Sequence, residues 1–425
     1  MKILVYEDSG YKNLYPLNLL RASFDIRCGA NTILERIECI LNNKFEISLH
    51  CRTAVAPFLK ETHKNKINEI SKDDYLLLNG RVIFNEDPLK YIVSKKEKNS
   101  YYTYNNEIVA AYISKDKIHM IREKADAEDN VIGTEFFEKH NFKCIRLKNE
   151  LNIRVINYPW EVIDYILHNG LEEDLNYFLS AKENRKLQRI KDKASFINYK
   201  KIFAAKNVNI LPEVVLDASE GRIVIEENTV IEPFTYIKGP VYIGKNCLVK
   251  SGTKIYGPCV IGGFSKVAGE IAESVLHSYV NKQHDGFTGH SYICPFVNLG
   301  ADTVTSDLKN NYSKVGMKIN GENVNTNMQL LGSIIGDHSK TSINTMLNTG
   351  SIIGIFANIF GGGFPSKEIQ SFSWNEAGKQ SEKYDIDKAI ETSRIVMNRR
   401  GIKMSEAYEK LVRNLEFGIS NLEFC

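Results

Sequence analysis

From residue 225 to residue 267 every sixth residue is aliphatic: Ile225, Ile231, Ile237, Ile243, Val249, Ile255, Ile261 and Val267. The step recurs at Ile293 and Leu299, then at Ile335, Leu347, Ile353 and Ile359, with Thr341 as the polar exception. Small or turn-forming residues fill the gaps, among them Gly244, Ser251-Gly252, Gly257-Pro258, Gly262-Gly263 and Gly354. A period of six fits neither the 3.6 of a helix nor the 2 of a strand. It fits a chain that turns a corner every six residues, so that three hexads close one triangular coil. The aliphatic residue of each hexad then points inward and stacks on its equivalent one coil later. This geometry predicts that Ile225, Ile243 and Ile261 stand in one column.

Two stretches break the rhythm, about 269–292 and about 306–332. Both are expected to be insertions at corners of the coil, the second a β-ribbon. Long insertions on a rigid scaffold are often where function sits. The coils are assigned to residues 201–365.

Residues 1–200 read differently. Strands are expected at Lys2–Glu7, Phe45–Cys51, Tyr75–Asn79, Arg81–Asn85 and Phe142–Leu147. A capping box at Thr32–Glu35 opens a helix to about Leu41, Ala54–His63 reads as a second helix, and Pro159–Ile190 reads as largely helical. Strands alternating with helices point to an α/β domain with a mostly parallel sheet. Residues 366–425 form a C-terminal helical extension, with apolar residues at helical spacing from Ile386 to Leu415.

Composition narrows the function classes. Lys plus Arg is 55 and Asp plus Glu is 52. That balance gives no basis for a nucleic-acid or membrane-surface partner, and no apolar run is long enough for a membrane span. The eight cysteines include no Cys-x-x-Cys pair, which suits a reducing cytoplasm better than a disulfide scaffold or a zinc site.

An α/β domain followed by hexad coils resembles the bifunctional N-acetylglucosamine-1-phosphate uridylyltransferase/glucosamine-1-phosphate acetyltransferase family. The chain is more similar still to a divergent branch of sugar nucleotidyltransferases of that type. The likeness is carried by Asn13-Leu14-Tyr15-Pro16-Leu17-Asn18-Leu19-Leu20-Arg21, Tyr158-Pro159-Trp160, Gly289-His290-Ser291-Tyr292, Val297-Asn298-Leu299-Gly300-Ala301-Asp302-Thr303 and Ile335-Gly336-Asp337-His338-Ser339. It implies an α/β nucleotidyltransferase-like domain followed by a left-handed parallel β-helix. It also implies a homotrimer with acetyl-CoA lying along the coils, an amino-sugar-1-phosphate beside it, and a nucleoside triphosphate with Mg2+ in the N-terminal domain. The product would be of the UDP-N-acetylglucosamine type. Two other readings stay open: a nucleotidylyltransferase whose coils only trimerise it, or a non-enzymatic trimeric binding module.

Acyl transfer to an amine needs a base, and imidazole, with a pKa of about 6.5, is the usual one. His290 is the first candidate and His284 the second. The family's His-x-x-Tyr pattern is His-x-Tyr here, with Tyr292 expected near the sugar or its phosphate. By resemblance, Lys250 and Lys282 would bind phosphate, and Asn298 the substrate. Ala301, Thr341 and Gly361 would meet the coenzyme.

At the nucleotide end, the usual glycine-rich loop after the first strand is replaced by Glu7-Asp8-Ser9-Gly10-Tyr11-Lys12, with one glycine. Lys12, Arg21, Arg27 and Asn79 are the candidate nucleotide contacts, since arginine can grip phosphate bidentately. Asp8, at the strand end, is the candidate Mg2+ ligand. A salt-bridge role for Arg21 and Arg27 is the competing reading, and the domain could use a variant site, bind without turnover, or be structural.

Overall fold

The computed structural model describes residues 1–42, 44–95, 97–125, 127, 130–180 and 194–423. The N-terminal domain holds β1 (Lys2–Tyr6), α1 (Ile33–Leu41), β2 (Ile47–His50), α2 (Ala56–Thr62), β3 (Tyr75–Asn79), β4 (Val82–Ile83), α3 (Glu86–Lys95), β5 (Ser100–Tyr104), β6 (Glu107–Ile113), α4 (Ile118–Ala125), α5 (Thr134–Lys139), β7 (Lys143–Arg146), α6 (Glu161–Tyr165) and α7 (Leu171–Ser180). Its sheet runs β2-β1-β3-β6-β5-β7. Both neighbours of β1 and the β5–β7 pair are parallel, while β6 is antiparallel to β3 and β5. The Thr32–Glu35 capping box closes reciprocally, as its sequence predicts. The β5–β6 hairpin went unread. Asn105 and Asn106 both take positive φ at its tip, the geometry of a tight two-residue turn that asparagine tolerates. The helix expected over Pro159–Ile190 is interrupted at His168 and Asn169, which leave helical φ/ψ. Residues 181–190 of that stretch lie outside the described residues.

The coils form a three-faced parallel β-helix. On the first face Ile225 pairs with Ile243 and Ile243 with Ile261. On the second, Ile231 pairs with Val249 and Val249 with Val267. On the third, Ile237 pairs with Ile255. All eight residues of the unbroken hexad run are fully buried. Strand pairing begins at Ser195–Ile197 and reaches Ser373–Glu376, wider at both ends than 201–365.

The stretch 269–292 is not an insertion, contrary to the expectation. It keeps coiling with shortened turns: Ile261 pairs with Leu276, Val267 with Lys282, and Leu276 with Ile293. Trimmed corners shift the phase without breaking the ladder. The stretch 306–332 does leave the coil, and its ribbon pairs Gly316–Ile319 with Glu322–Asn325. The ribbon tip reaches the N-terminal domain, where Asn320 Nδ2 donates to Lys12 O and Asn13 Oδ1, each at 3.2 Å.

One corner carries a continuous stack of rings: Phe264, Tyr279, Phe296, His338, Phe356 and Phe372, with successive centroids 4.7–5.1 Å apart. All six residues have positive φ, a conformation that costs a bulky side chain about 1–2 kcal/mol. Ring stacking of about 0.5–1.5 kcal/mol per pair offsets that cost. His338 is thereby buried, and its imidazole is held well below its ordinary pKa by desolvation.

Residues of the first face alternate inward and outward. The outward ones, including Tyr242, Val260, Val275, Tyr292, Ile334 and Ile352, are buried as well and join the apolar core of the N-terminal domain. That domain is docked on the first face. The C-terminal helices α8 (Ile386–Asn398) and α9 (Glu406–Glu423) pack back on the same assembly. Tyr408 of α9 meets Phe58 of α2 edge-on and lies 2.8 Å from His338 Nε2. No helix among the described residues is long and apolar enough to cross a membrane.

Candidate functional site

His290 lies at the corner where the third face, ending in Phe287–Gly289, turns into the first, starting at Tyr292–Ile293. Its backbone takes φ 45°. Its N–H donates to Ala272 O at 3.1 Å and its carbonyl accepts from Gly332 N at 2.9 Å. The imidazole Nδ1 is 2.8 Å from Asp307 Oδ2 and 4.0 Å from Glu273 Oε2. Asp307 is the second residue after the strand Val304–Thr305, where the ribbon insertion leaves the coil, and its carbonyl accepts from Leu331 N at 2.8 Å on the return strand. Gly289 is required beside it: a Cβ there would collide with Asp307 Oδ2 and the Phe287 ring. A carboxylate on Nδ1 fixes that nitrogen as the donor and leaves Nε2 as the acceptor, the tautomer a general base needs. Burial raises the Glu273 carboxyl above its ordinary pKa. Neither Asp307 nor Glu273 was picked out from sequence. The signal for Asp307 was its position at the start of the ribbon insertion.

The other acyl-site candidates separate into distinct places. Lys250, His284, Ala301 and Gly361 all fall after second-face strands, on the corner leading to the third face. His290 is on another edge of the same prism. Lys282 occupies an inward position of the ladder, paired with Val267, and is 2% exposed. Its Nζ donates to Ala268 O at 2.8 Å and His284 O at 3.1 Å, and burial lowers its pKa to about 8. Thr341 is also inward, its hydroxyl 2.7 Å from Thr303 Oγ1 and 2.9 Å from Gly300 N. Asn298 Oδ1 accepts from Asn281 Nδ2 at 2.5 Å. Tyr292 points out of the first face into the domain interface, donating to Arg27 O at 3.1 Å.

The second site lies where β1 and β3 end, the place where open α/β sheets bind ligands. A cavity of about 410 Å³ there is lined by residues that include Asp8, Gly10, Asn13, Arg81, Glu107 and Tyr158. Arg81, unnoticed in the sequence, fills its floor. Its Nε is 2.5 Å and its Nη2 2.6 Å from the two Asp8 oxygens, Nη2 is 2.8 Å from Glu107 Oε2, and Nη1 donates to Ile156 O at 3.2 Å and to Asn157 Oδ1. Gly10 permits this close approach, since a Cβ there would overlap the guanidinium.

The expected roles of Asp8, Arg21 and Arg27 need correction on this geometry. Asp8 is saturated by Arg81, Asn79 Nδ2 at 2.8 Å and Gly10 N at 3.2 Å. A cation already stands between Asp8 and Glu107, so the residues present do not fit a Mg2+ site. Asn79 is fully buried and spends its amide on Asp8, Ile108 O and Arg81 N. Arg21 forms a bidentate ion pair with Asp337 of the coils, and Arg27 bonds Ala30 O beside Glu35. Arg21 serves the domain interface, while the Arg27 side chain ties down its own connection within the N-terminal domain and only its backbone carbonyl meets the coils. Lys12 is exposed near the cavity, under the ribbon tip.

Comparison with known proteins agrees with this division. Residues 3–183 match the sugar nucleotidyl transferase family, and residues 222–257 match the bacterial transferase hexapeptide family of six repeats. The chain is similar to proteins named bifunctional sugar-1-phosphate nucleotidylyltransferase/acetyltransferase and bifunctional protein GlmU. The protein of that name from Sulfurisphaera tokodaii is 30% identical over 35% of this chain, and the match spans 38% of the relative's own length. The bifunctional protein GlmU of Methanococcus vannielii is 24% identical over 71% of this chain and 75% of its own. GlmU of Methanocaldococcus jannaschii is 24% identical over 76% and 83%. The expected order of a nucleotidyltransferase-like domain, a hexapeptide β-helix and C-terminal helices therefore stands.

Proposed function

We propose that the protein is a bifunctional transferase of sugar-nucleotide biosynthesis. On the β-helix it moves an acetyl group from acetyl-CoA to the amine of an amino-sugar-1-phosphate. In the N-terminal cavity it transfers a nucleotidyl group from a nucleoside triphosphate to a sugar-1-phosphate, giving a UDP-N-acetylglucosamine-type product and releasing pyrophosphate. The observation that carries the reading is the His290–Asp307 pair on the edge of a hexapeptide prism. Cytoplasmic residence goes with these substrates.

In the acetyl step the neutral amine attacks the thioester carbonyl. His290 Nε2 takes the proton released as the C–N bond forms, and Asp307 stabilises the resulting imidazolium. Collapse of the tetrahedral adduct breaks the C–S bond, and the proton passes to the leaving thiolate. The amide is left on the sugar.

The placement of Ala301 and Gly361 on a different edge from His290 supports a site completed between chains. In a homotrimer the coenzyme-facing edge of one prism would lie against the His290 edge of its neighbour.

The test is an assay with glucosamine-1-phosphate, acetyl-CoA and UTP, with products resolved by mass. Wild-type protein is expected to give the acetylated sugar phosphate and the nucleotide sugar, and His290→Ala to lose about 10²–10⁴-fold in acetylation. Acetylation by His290→Ala at the wild-type rate would reject the assignment.

A further inference from the structure

Along the same prism edge as His290 there is a second cavity, of about 440 Å³, large enough for a small ligand or one end of a larger one. Ser306 and Leu308, which flank Asp307, form its rim nearest the catalytic pair. Lys309 and Lys367 enter it from two different segments, the start of the ribbon insertion and the loop before the last first-face strand. Asn311 contributes a side-chain amide and Phe364 an aromatic ring that is 57% exposed.

No carboxylate is among the described residues that line this cavity. Of the two carboxylates adjacent in sequence to lining residues, Asp307 is engaged by His290 Nδ1 at 2.8 Å and Glu368 by Lys318 of the ribbon at 3.1 Å. Two ammonium groups sharing a cavity without a counter-charge repel each other, and each is worth more with an anion between them. Lys367 shows this: burial and the neighbouring Lys309 charge both push its pKa down. Lys309 is steadied in place, its Nζ donating to Lys314 O at 2.8 Å. Lysines as point charges, with amide donors beside them, suit a group of high charge and several terminal oxygens. Neither lysine was singled out in the sequence. Lys282, which was, is enclosed in the prism, and Lys250 lies on another edge.

The geometry points to a phosphate-ester subsite, built by Lys309 and Lys367, that anchors the phosphorylated end of a substrate of the His290–Asp307 site. It rests on the acetyl-transfer reading for its purpose. Two substrates of that reaction carry the chemistry, the sugar-1-phosphate and coenzyme A. Phe364, in a loop opened by Gly361 and Gly363 at φ 91° and 98°, stands where it can cover the ligand's less polar part.

The experiment measures binding by calorimetry to wild-type protein and to Lys309→Gln/Lys367→Gln, with a Lys309→Arg/Lys367→Arg variant as the charge-retaining control. The ligands come in two pairs: glucosamine-1-phosphate against glucosamine, and coenzyme A against dephospho-coenzyme A. The expected result is that the glutamine variant weakens the phosphorylated member of one pair by about 10- to 100-fold, leaves its unphosphorylated counterpart at wild-type affinity, and is rescued by arginine. The affected pair identifies the source of the phosphate. Equal binding of both phosphorylated ligands by wild type and glutamine variant would overturn the proposal, as would an equal loss for both members of a pair or no binding by wild type. Failure of the acetyl-transfer reading is read separately, as wild type and His290→Ala being equally inactive.

Discussion

Arg21 of the N-terminal domain and Asp337 of the coils form a bidentate ion pair across the domain interface, with Nη1 3.2 Å from Oδ2 and Nη2 on Oδ1. Both are shielded, at 8% and 1% exposure. Around them Tyr292 bonds Arg27 O and His277 Nε2 lies 3.2 Å from Asp25 O, and towards the other end of the first face Arg222 pairs with Glu172. The short motif that suggested a phosphate grip is thus a seam between two domains.

Removing one partner of this pair strands the other charge in the interface. Arg21→Met is expected to destabilise the protein by about 3–5 kcal/mol, seen as a fall in the thermal unfolding midpoint. Arg21→Met with Asp337→Leu should recover most of that loss, because a buried ion pair replaced by apolar groups costs little. The double variant should also keep wild-type nucleotide affinity. A loss of affinity in it would restore Arg21 to the phosphate site.

Arg81 is the corresponding keystone of the N-terminal cavity. Arg81→Met leaves Asp8 and Glu107 facing each other across the cavity floor without a cation. A drop in stability of about 3–5 kcal/mol is expected at neutral pH, shrinking as the carboxylates are protonated in acid. Mg2+ should raise the melting temperature of Arg81→Met and leave nucleotide-free wild type unchanged, since ligands stabilise only the form that binds them. A Mg2+ shift in the wild type would show that the guanidinium leaves room for the metal.

The ladder was legible in the sequence because its signal is local and repeated. Each inward Ile or Val reports one coil, and the column of Ile225, Ile243 and Ile261 follows from arithmetic. Where corners were trimmed, as between Ile261 and Leu276, the arithmetic slipped and a continuous coil looked like an insertion. The site was half legible. His290 stood out by residue type, but Asp307 became its partner only because the ribbon insertion starts there and Gly289 lets the carboxylate in. Lys282 looked like a ligand residue because sequence does not say which way a side chain faces when the phase is lost. Arg81 carried no motif at all. Its role comes from β1 and β3 lying side by side, which brings together residues more than 70 positions apart.

Asp307 gives the sharpest test of the catalytic pair. Asp307→Asn keeps the shape but lets the amide donate to Nδ1, which would put the imidazole proton on Nε2 and block its use as a base. Acetylation is expected to fall by about 10²–10⁴-fold, with an unchanged circular dichroism spectrum and nucleotidyl transfer intact. An activity within about twofold of wild type would mean that the carboxylate does not set the tautomer.

Lys282 and Lys340 make a prediction about pH. Burial lowers both pKa values from 10.5 to about 8 in the folded protein. A lysine depressed in this way is charged in both states below about pH 8, so the folded state bears the desolvation cost there. Between about 8 and 10.5 the unfolded chain holds the proton and the folded chain does not. Stability therefore rises with pH across that window, and the unfolding midpoint measured from pH 7 to pH 10 should show an upward component. Lys282→Met, which continues the column of Val267 and Leu299 with an apolar side chain, should raise stability at pH 7 by about 1–3 kcal/mol and flatten that rise. It should also retain acetylation, because the ammonium of Lys282 is spent on Ala268 O and His284 O. A large loss of acetylation in a stably folded Lys282→Met protein would return Lys282 to the substrate site.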